Sequence, residues 1–351
     1  MQVSWPRASG EPGVTACIRS SPEDFVVREQ LGFELSGEGE HVFLHLEKTQ
    51  LNTLELQEKL SRLSGVAVRD IGFCGMKDRN AVTRQWFSVG MAGKPEPDWA
   101  ELEQAENITV LQVGRHLRKL KRGVHQANLF ELRLRDLNGN LDDLESRLQR
   151  VAKAGVPNYF GEQRFGRGGQ TLEQARRWVD AKSRKLTRTK TSLYLSALRS
   201  YLFNQLLAAR VRDENWNLVA DGDVCMLQGT RSRFSCSTCD EDIRQRNFSG
   251  DLHPALPLWG SGKMEASAEL QEKQLAELAS DLEIAKFLEH KGLELSYRSA
   301  RLMADDFCWQ FCDDGSLLLS FGLAPGGYAT AVLAELVQFN NRDLGSRNRS
   351  E

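Results

Sequence analysis

Residues 155–166 read GVPNYFGEQRFG, from Gly155 to Gly166, and the character of the chain changes there. Upstream, apolar residues mostly alternate, as in strands. In EHVFLHLEK (40–48) Val42, Leu44 and Leu46 fall on one face. DFVVRE (24–29) and NLFELRLRD (128–136) read the same way, and 68–90 reads strand, loop, strand with GMKDRN as the loop. Two helices interrupt this pattern. Asn52 with Glu55 forms a capping box ahead of a Leu56, Leu60, Leu63 stripe that ends at Gly65. Asn140 caps a second helix with the stripe Leu141, Leu144, Leu148 and Val151, stopped by Gly155 and Pro157.

Downstream, from about 155 to 302, the pattern turns mostly helical. Thr171 with Gln174 opens one helix, 192–210 forms another around Leu195, Leu198, Leu202 and Leu206, and 265–289 forms a third. Near 303 the strands return: Phe307, Trp309 and Phe311 alternate, Asp313-Asp314-Gly315 turns, and Leu317, Leu319 and Phe321 alternate back. The Gly-rich APGGYAT (324–330) leads into a last helix at about 330–338. Like ends around a different middle predict an α+β domain, 1–153 with 303–351, into which a mostly helical domain, 154–302, is inserted. A length of 351 residues suits two cores better than one.

The balance of 46 Lys and Arg against 48 Asp and Glu gives a net charge of −2, which argues against a uniformly basic nucleic-acid binder. Charge is nevertheless uneven. RHLRKLKR (115–122) and KSRKLTRTK (182–190) each hold five cations and no acid, while acids gather in 265–289. Either run alone reads as a solvated surface; together they allow a basic face on an acidic chain. The N-terminal MQVSWPRASGEPG has no apolar run suited to a signal peptide, and no stretch approaches the roughly 20 apolar residues of a membrane span. A cytoplasmic location is expected. Seven scattered cysteines then read as reduced thiols, and Cys236-x-x-Cys239 lacks the second ligand pair of a structural zinc site.

Familiar catalytic signatures are absent: no phosphate-binding G-x-x-x-x-G-K-[ST], no G-x-S-x-G, no H-E-x-x-H. What remains is chemistry that one carboxylate performs without a metal or cofactor. The loop Gly75-Met76-Lys77-Asp78-Arg79-Asn80 joins two short strands, a common place for catalysis. Adjacent cations favour the ionised form of Asp78, which can act as a nucleophile or a base. On its own, however, a Lys-Asp pair in a glycine turn reads as an ordinary polar turn.

Several phrases in order lift Asp78 above that reading. SPEDFVVRE (21–29), GMKDRNAVTRQW (75–86), NLF (128–130), GVPNYFGEQRFG (155–166) and APGGYAT (324–330) resemble the TruD family of tRNA pseudouridine synthases over nearly the whole chain. The resemblance implies the pseudouridine synthase fold, a mixed, mainly antiparallel sheet with flanking helices, carrying an inserted TRUD domain. It implies that Asp78 is catalytic, that tRNA is the substrate, and that a uridine, position 13 by the family pattern, is isomerised. Phe25, Asn128, Phe130 and Tyr328 match the family's substrate-binding positions, and Lys77 joins them as the neighbour of Asp78. Most other pseudouridine synthases carry Tyr where this family has Phe130.

The chemistry suits those residue types. The C1′–N1 bond must break, the freed uracil rotate, and C5 join C1′, so the base has to leave its stack. Aromatic faces hold an extruded base by stacking, about 1–3 kcal/mol per base. Asn128 offers both donors and an acceptor for a uracil edge or ribose. Asp78 either attacks C1′ or removes a proton from C2′; both routes stay open. Lys77 and Asp78, being adjacent in extended chain, point apart. Phe25 and Phe130, without the resemblance, read as strand core; Phe160 and Phe165 read as core; Glu162 and Arg164 read as structural ion-pair residues. The basic runs are expected to line an interdomain cleft and position phosphates. No membrane and no obligate protein partner is implied. Two competing functions remain: an RNA-binding protein without catalysis, which has no need of Asp78, and a nucleoside or glycoside hydrolase, which needs paired carboxylates.

Overall fold

The computed structural model describes residues 4–181 and 185–341. They form two compact units. The first comprises Gly13–Leu144, Ala304–Gly326 and the described residues from Val337. The second comprises the described residues before Gly13, together with Glu145–Met303 and Gly327–Leu336. Every described residue of 154–302 thus lies in the second unit, which also takes in Glu145–Lys153, Tyr328 and the last helix.

The first unit is built on a ten-stranded sheet. Its main path runs Asp305–Phe311, Leu317–Leu323, His125–Asn138, Phe25–Leu31, Val82–Gly90, His41–Thr49, Ile108–His116. Thr15–Ile18, Gln338–Asn341 and Ile71–Phe73 attach off that path. Pairing is antiparallel except between Phe25–Leu31 and Val82–Gly90, and between Thr15–Ile18 and Gln338–Asn341. This is the mixed, mainly antiparallel sheet expected. Val42, Leu44 and Leu46 alternate onto a face that packs with Leu56 and Leu60 of the helix Thr53–Ser64. That helix starts at the Asn52–Glu55 capping box and ends at Gly65, whose left-handed φ of 63° favours glycine. In the helix Leu141–Ala154, Leu144, Leu148 and Val151 are buried, but Leu141 is exposed. The hairpin Asp305–Leu323 turns at Asp313–Gly315. Its outer residues Phe307 and Trp309 are only half-buried, so their alternation faces a partly open side.

The second unit packs Gln170–Asp180, Arg188–Arg212 and Leu282–His290 around Trp178, Leu198, Leu202, Phe203, Leu206 and Leu288. Three expectations are corrected here. The helix expected to open at Thr171 starts at Gln170 behind a left-handed Gly169. The helix expected over 265–289 is two, Ala268–Glu277 and Leu282–His290, broken where buried Asp281 accepts hydrogen bonds from Arg176, Gln205 and Tyr201. The unit also contains a four-stranded sheet, Arg233–Ser235, Val224–Leu227, Leu252–Leu258 and Ser296–Ser299 in that order. Leu252–Leu258 reads LHPALPL, and two prolines without alternation conceal a strand that is buried along nearly its whole length. No helix among the described residues is long and apolar enough to cross a membrane.

Candidate active site

Cross-strand register assembles the site. Phe25 lies opposite Leu132, Val27 opposite Phe130, and Glu29 opposite Asn128. On the other flank Phe321 lies opposite Phe130 and Leu323 opposite Asn128. Directly opposed residues share a face, so Phe25, Glu29, Asn128, Phe130 and Phe321 form one patch. Phe130 stacks on Phe321 with centroids 5.4 Å apart and meets Phe25 edge-on at 6.2 Å.

Asp78 joins this patch through a residue that the sequence did not single out. Arg19 follows the strand Thr15–Ile18 in a left-handed conformation, φ 56°. Its guanidinium lies 4.1 Å from the centre of the Phe25 ring, and its Nη2 donates to Asp78 Oδ2 at 2.6 Å. Arg19 is buried, while the Asp78 side chain keeps 35% exposure. One carboxylate oxygen is therefore fixed by a directed charge contact, and the group still reaches solvent.

The loop that carries Asp78 is held by its main chain. Gln85 Nε2 donates to the Gly75 carbonyl at 2.5 Å, and the Lys77 amide donates to Thr53 Oγ1 at 2.9 Å. Thr53 Oγ1 donates in turn to Gln85 Oε1 at 3.1 Å. Lys77 does not lie along Asp78. Its Nζ is buried 2.6 Å from Glu29 Oε2, and the Trp86 amide donates to the other Glu29 oxygen at 3.2 Å. Asn128 Nδ2 meets His125 Nε2 at 3.0 Å, whereas Asn128 Oδ1 is buried without a hydrogen-bond partner. Burial holds the His125 pKa below the usual imidazole value.

Glu29, Cys74 and His125 are the one group with metal-ligand spacing among the described residues. They do not suit a metal: the Lys77 ammonium already sits on the Glu29 carboxylate, and burial pushes the Cys74 thiol up to about 12, away from the thiolate a metal binds. Cys236 and Cys239 are buried beside Cys225 and Val219 as apolar filling.

Tyr328 belongs to the second unit, just ahead of the helix Ala329–Leu336. Its hydroxyl accepts from Arg164 Nη2 at 2.6 Å, and its ring meets Phe160 edge-on at 6.1 Å. Arg164 also donates to Ser196 Oγ at 2.8 Å, so its partners are hydroxyls. The structure therefore gathers Asp78, Phe25, Phe130, Asn128 and Lys77 in the first unit, and gives Tyr328 its own setting in the second.

Comparison with known proteins names the ensemble. The family model described as tRNA pseudouridine synthase D (TruD) matches residues 6–173 and 170–336. The chain belongs to the TruD family. A Methylococcus capsulatus protein named tRNA pseudouridine synthase D is 47% identical over 95% of this chain and 94% of its own length. One of the same name from Nitrosococcus oceani is 44% identical over 93% and 92%. A crystal structure from Methanosarcina mazei that bears the TruD name aligns with a TM-score of 0.69 and 21% identity, covering 94% of this chain and 95% of its own. That likeness speaks for the fold. Among TruD family members, then, this chain presents Asp78 on a loop clamped at three main-chain atoms, with Arg19 as its charged partner.

Proposed function

We propose that this chain is a tRNA pseudouridine synthase, an isomerase that converts a uridine in tRNA, by the family pattern uridine 13, to pseudouridine with Asp78 as the catalytic group. The observation that carries this reading is the single solvent-reaching carboxylate fixed by Arg19 at the edge of an aromatic patch. Phe25 and Phe130 are buried, one under the Arg19 guanidinium and one stacked on Phe321, and they form the floor over which an extruded base or its neighbour would lie. Asn128 Oδ1 lacks a donor, and a uracil N3–H or a ribose hydroxyl would satisfy it. Asp78 supplies either the attack on C1′ or the abstraction at C2′. In both routes the C1′–N1 bond breaks, C5 bonds to C1′, and the C5 proton leaves to solvent while N1 takes one up. No net oxidation occurs, so the step makes no demand for a redox cofactor. Lys77 serves by holding Glu29 and the loop.

We assign catalysis to the first unit. The proposed inserted domain, 154–302, and Tyr328 would contribute to substrate from the second. Exposed Arg118, Lys121 and Arg122 suit phosphate contacts on the first unit, where Arg115 is engaged by Glu96. Of the run 182–190, residues 182–184 lie outside the described residues.

The test is tritium release from tRNA labelled at C5 of uridine, comparing wild type with Asp78→Asn. Release by wild type, lost by at least about 10⁴-fold in Asp78→Asn with tRNA binding retained, is expected for removal of a catalytic group. Binding without release by wild type would leave an RNA-binding protein, and free uracil would mean a hydrolase.

A further inference from the structure

Lys48 is a charged residue in a core position. It continues the stripe Val42, Leu44, Leu46 on the strand His41–Thr49, and its relative exposure is 0%. Burying an ammonium costs several kcal/mol unless polar partners replace water. Among the described residues no carboxylate lies within salt-bridge distance of it, and its partners are carbonyls. Nζ donates to Leu51 O at 2.6 Å and to Asp78 O at 3.3 Å. The first carbonyl immediately precedes the capping residue of the helix Thr53–Ser64; the second belongs to the proposed catalytic residue itself. Burial lowers the Lys48 pKa to about 8, with the Asp78 charge acting against that fall.

We infer that Lys48 is a positioning residue for the reaction: its buried ammonium ties the Asp78 main chain to the start of the neighbouring helix, so that the carboxylate remains at Arg19. The inference rests on the reading of Asp78 as catalytic. Three features support it. The other loop anchors, Gln85 on Gly75 and Thr53 on Lys77, act one or more residues before Asp78, and Lys48 reaches Asp78's own carbonyl. An apolar residue at position 48 would fit the stripe without the cost of burying a charge, so stability alone does not call for lysine. Finally, Asp78 lies between two cations with separate tasks, Arg19 on the carboxylate and Lys48 on the main chain.

Lys48→Met fills similar space and removes every donor. With the full chain and whole tRNA, kcat should fall 10- to 100-fold while KM and tRNA affinity stay within twofold, measured well below the melting temperature of the variant. Lys48→Gln, with a shorter side chain that keeps a donor, should recover part of kcat and serves if Lys48→Met folds poorly. Leu60→Ala, a core truncation in the adjoining helix, controls for instability: it should lower the melting temperature and leave kcat near wild type. The inference is overturned if Lys48→Met keeps wild-type kcat, or if both variants lose activity only in proportion to their unfolded fraction, or if KM rises in place of a fall in kcat. Asp78→Asn run in parallel separates the two readings. If that variant stays active, the assignment of Asp78 fails and the clamp fails with it; if it is dead while Lys48→Met is normal, only the clamp fails.

Discussion

Two loops carry proposed substrate-binding or catalytic side chains, and they are held by opposite means. The loop Gly75–Asn80 in the first unit is gripped through its main chain, whose carbonyls accept from Gln85 and Lys48 and whose Lys77 amide donates to Thr53. The Tyr328 loop in the second unit is gripped through its side chain, by the hydrogen bond from Arg164 to the Tyr328 hydroxyl and by guanidinium faces around the neighbouring rings. Arg298 lies 4.2 Å from the Phe160 ring centre, 5.6 Å from Phe203 and 6.0 Å from Tyr328, while Arg164 lies 5.3 Å from Phe160. A carboxylate that must meet one sugar carbon needs a fixed direction, and hydrogen bonds fall off steeply with angle. An aromatic plane that stacks on a base tolerates sliding, and cation–π contacts are correspondingly lenient in geometry. The mode of support matches the tolerance of the task.

Among the supports of the two loops, the largest effect should come from the directed contact. Arg19→Ala removes the 2.6 Å partner of Asp78 and the cation over Phe25. We expect kcat to fall on the order of 10²-fold, the size of losing one preorganised charge contact at a reacting centre, with tRNA affinity nearly unchanged. Single-turnover kinetics would show it, and a normal chemical step in this variant would break the claim that direction matters at Asp78. The second loop should respond differently. Arg298 also donates to the carbonyl and the side-chain oxygen of buried Asn158. Arg298→Met should therefore cost about 1–3 kcal/mol of stability from unsatisfied acceptors, read by urea denaturation, with KM raised and kcat largely kept. A kcat loss as deep as that of Arg19→Ala would erase the distinction between the loops.

How much of this was legible in sequence follows from the physics of each element. The helix Thr53–Ser64 was readable from Asn52, Glu55 and Gly65, because capping is local chemistry. The hairpin Asp305–Leu323 was readable because one of its faces alternates around a glycine turn. The strand Leu252–Leu258 was hidden, since burial on both faces removes alternation and Pro254 and Pro257 argue against a strand. In the site, Asp78 stood out only through the family phrase. Its supports did not. Lys48 and Glu29 each close a strand phrase without marking a site, and Arg19 sits ahead of the SPEDF phrase without a pattern of its own. Each acquires its role from a contact 30 to 59 residues away, and short-range periodicity contains no such information.

The smallest effect is also the one that isolates the buried lysine from the arginines. The Lys48 pKa is lowered from 10.5 to about 8 in the folded protein. Below pH 8 both states hold the proton, and the full cost of burying the charge is present. Between pH 8 and 10.5 the unfolded chain binds more protons than the folded one, so stability gained from Lys48 rises with pH. The charges that act on Lys48 are those of Asp78, Lys77 and Glu55, and all three remain in Lys48→Met. Buried Cys74 and Cys225, pushed up to about 12, act in the opposite sense above pH 9, and they cancel when the two proteins are subtracted. The difference in unfolding free energy, wild type minus Lys48→Met, should therefore grow by about 1–3 kcal/mol from pH 7.5 to 10. Burial lowers the Arg298 pKa too, but only to about 10, so the same difference for Arg298→Met should stay flat up to about pH 9 while that for Lys48→Met is already rising. A flat profile for Lys48 would mean that its ammonium is hydrated in solution, and a hydrated ammonium would not hold the Asp78 carbonyl.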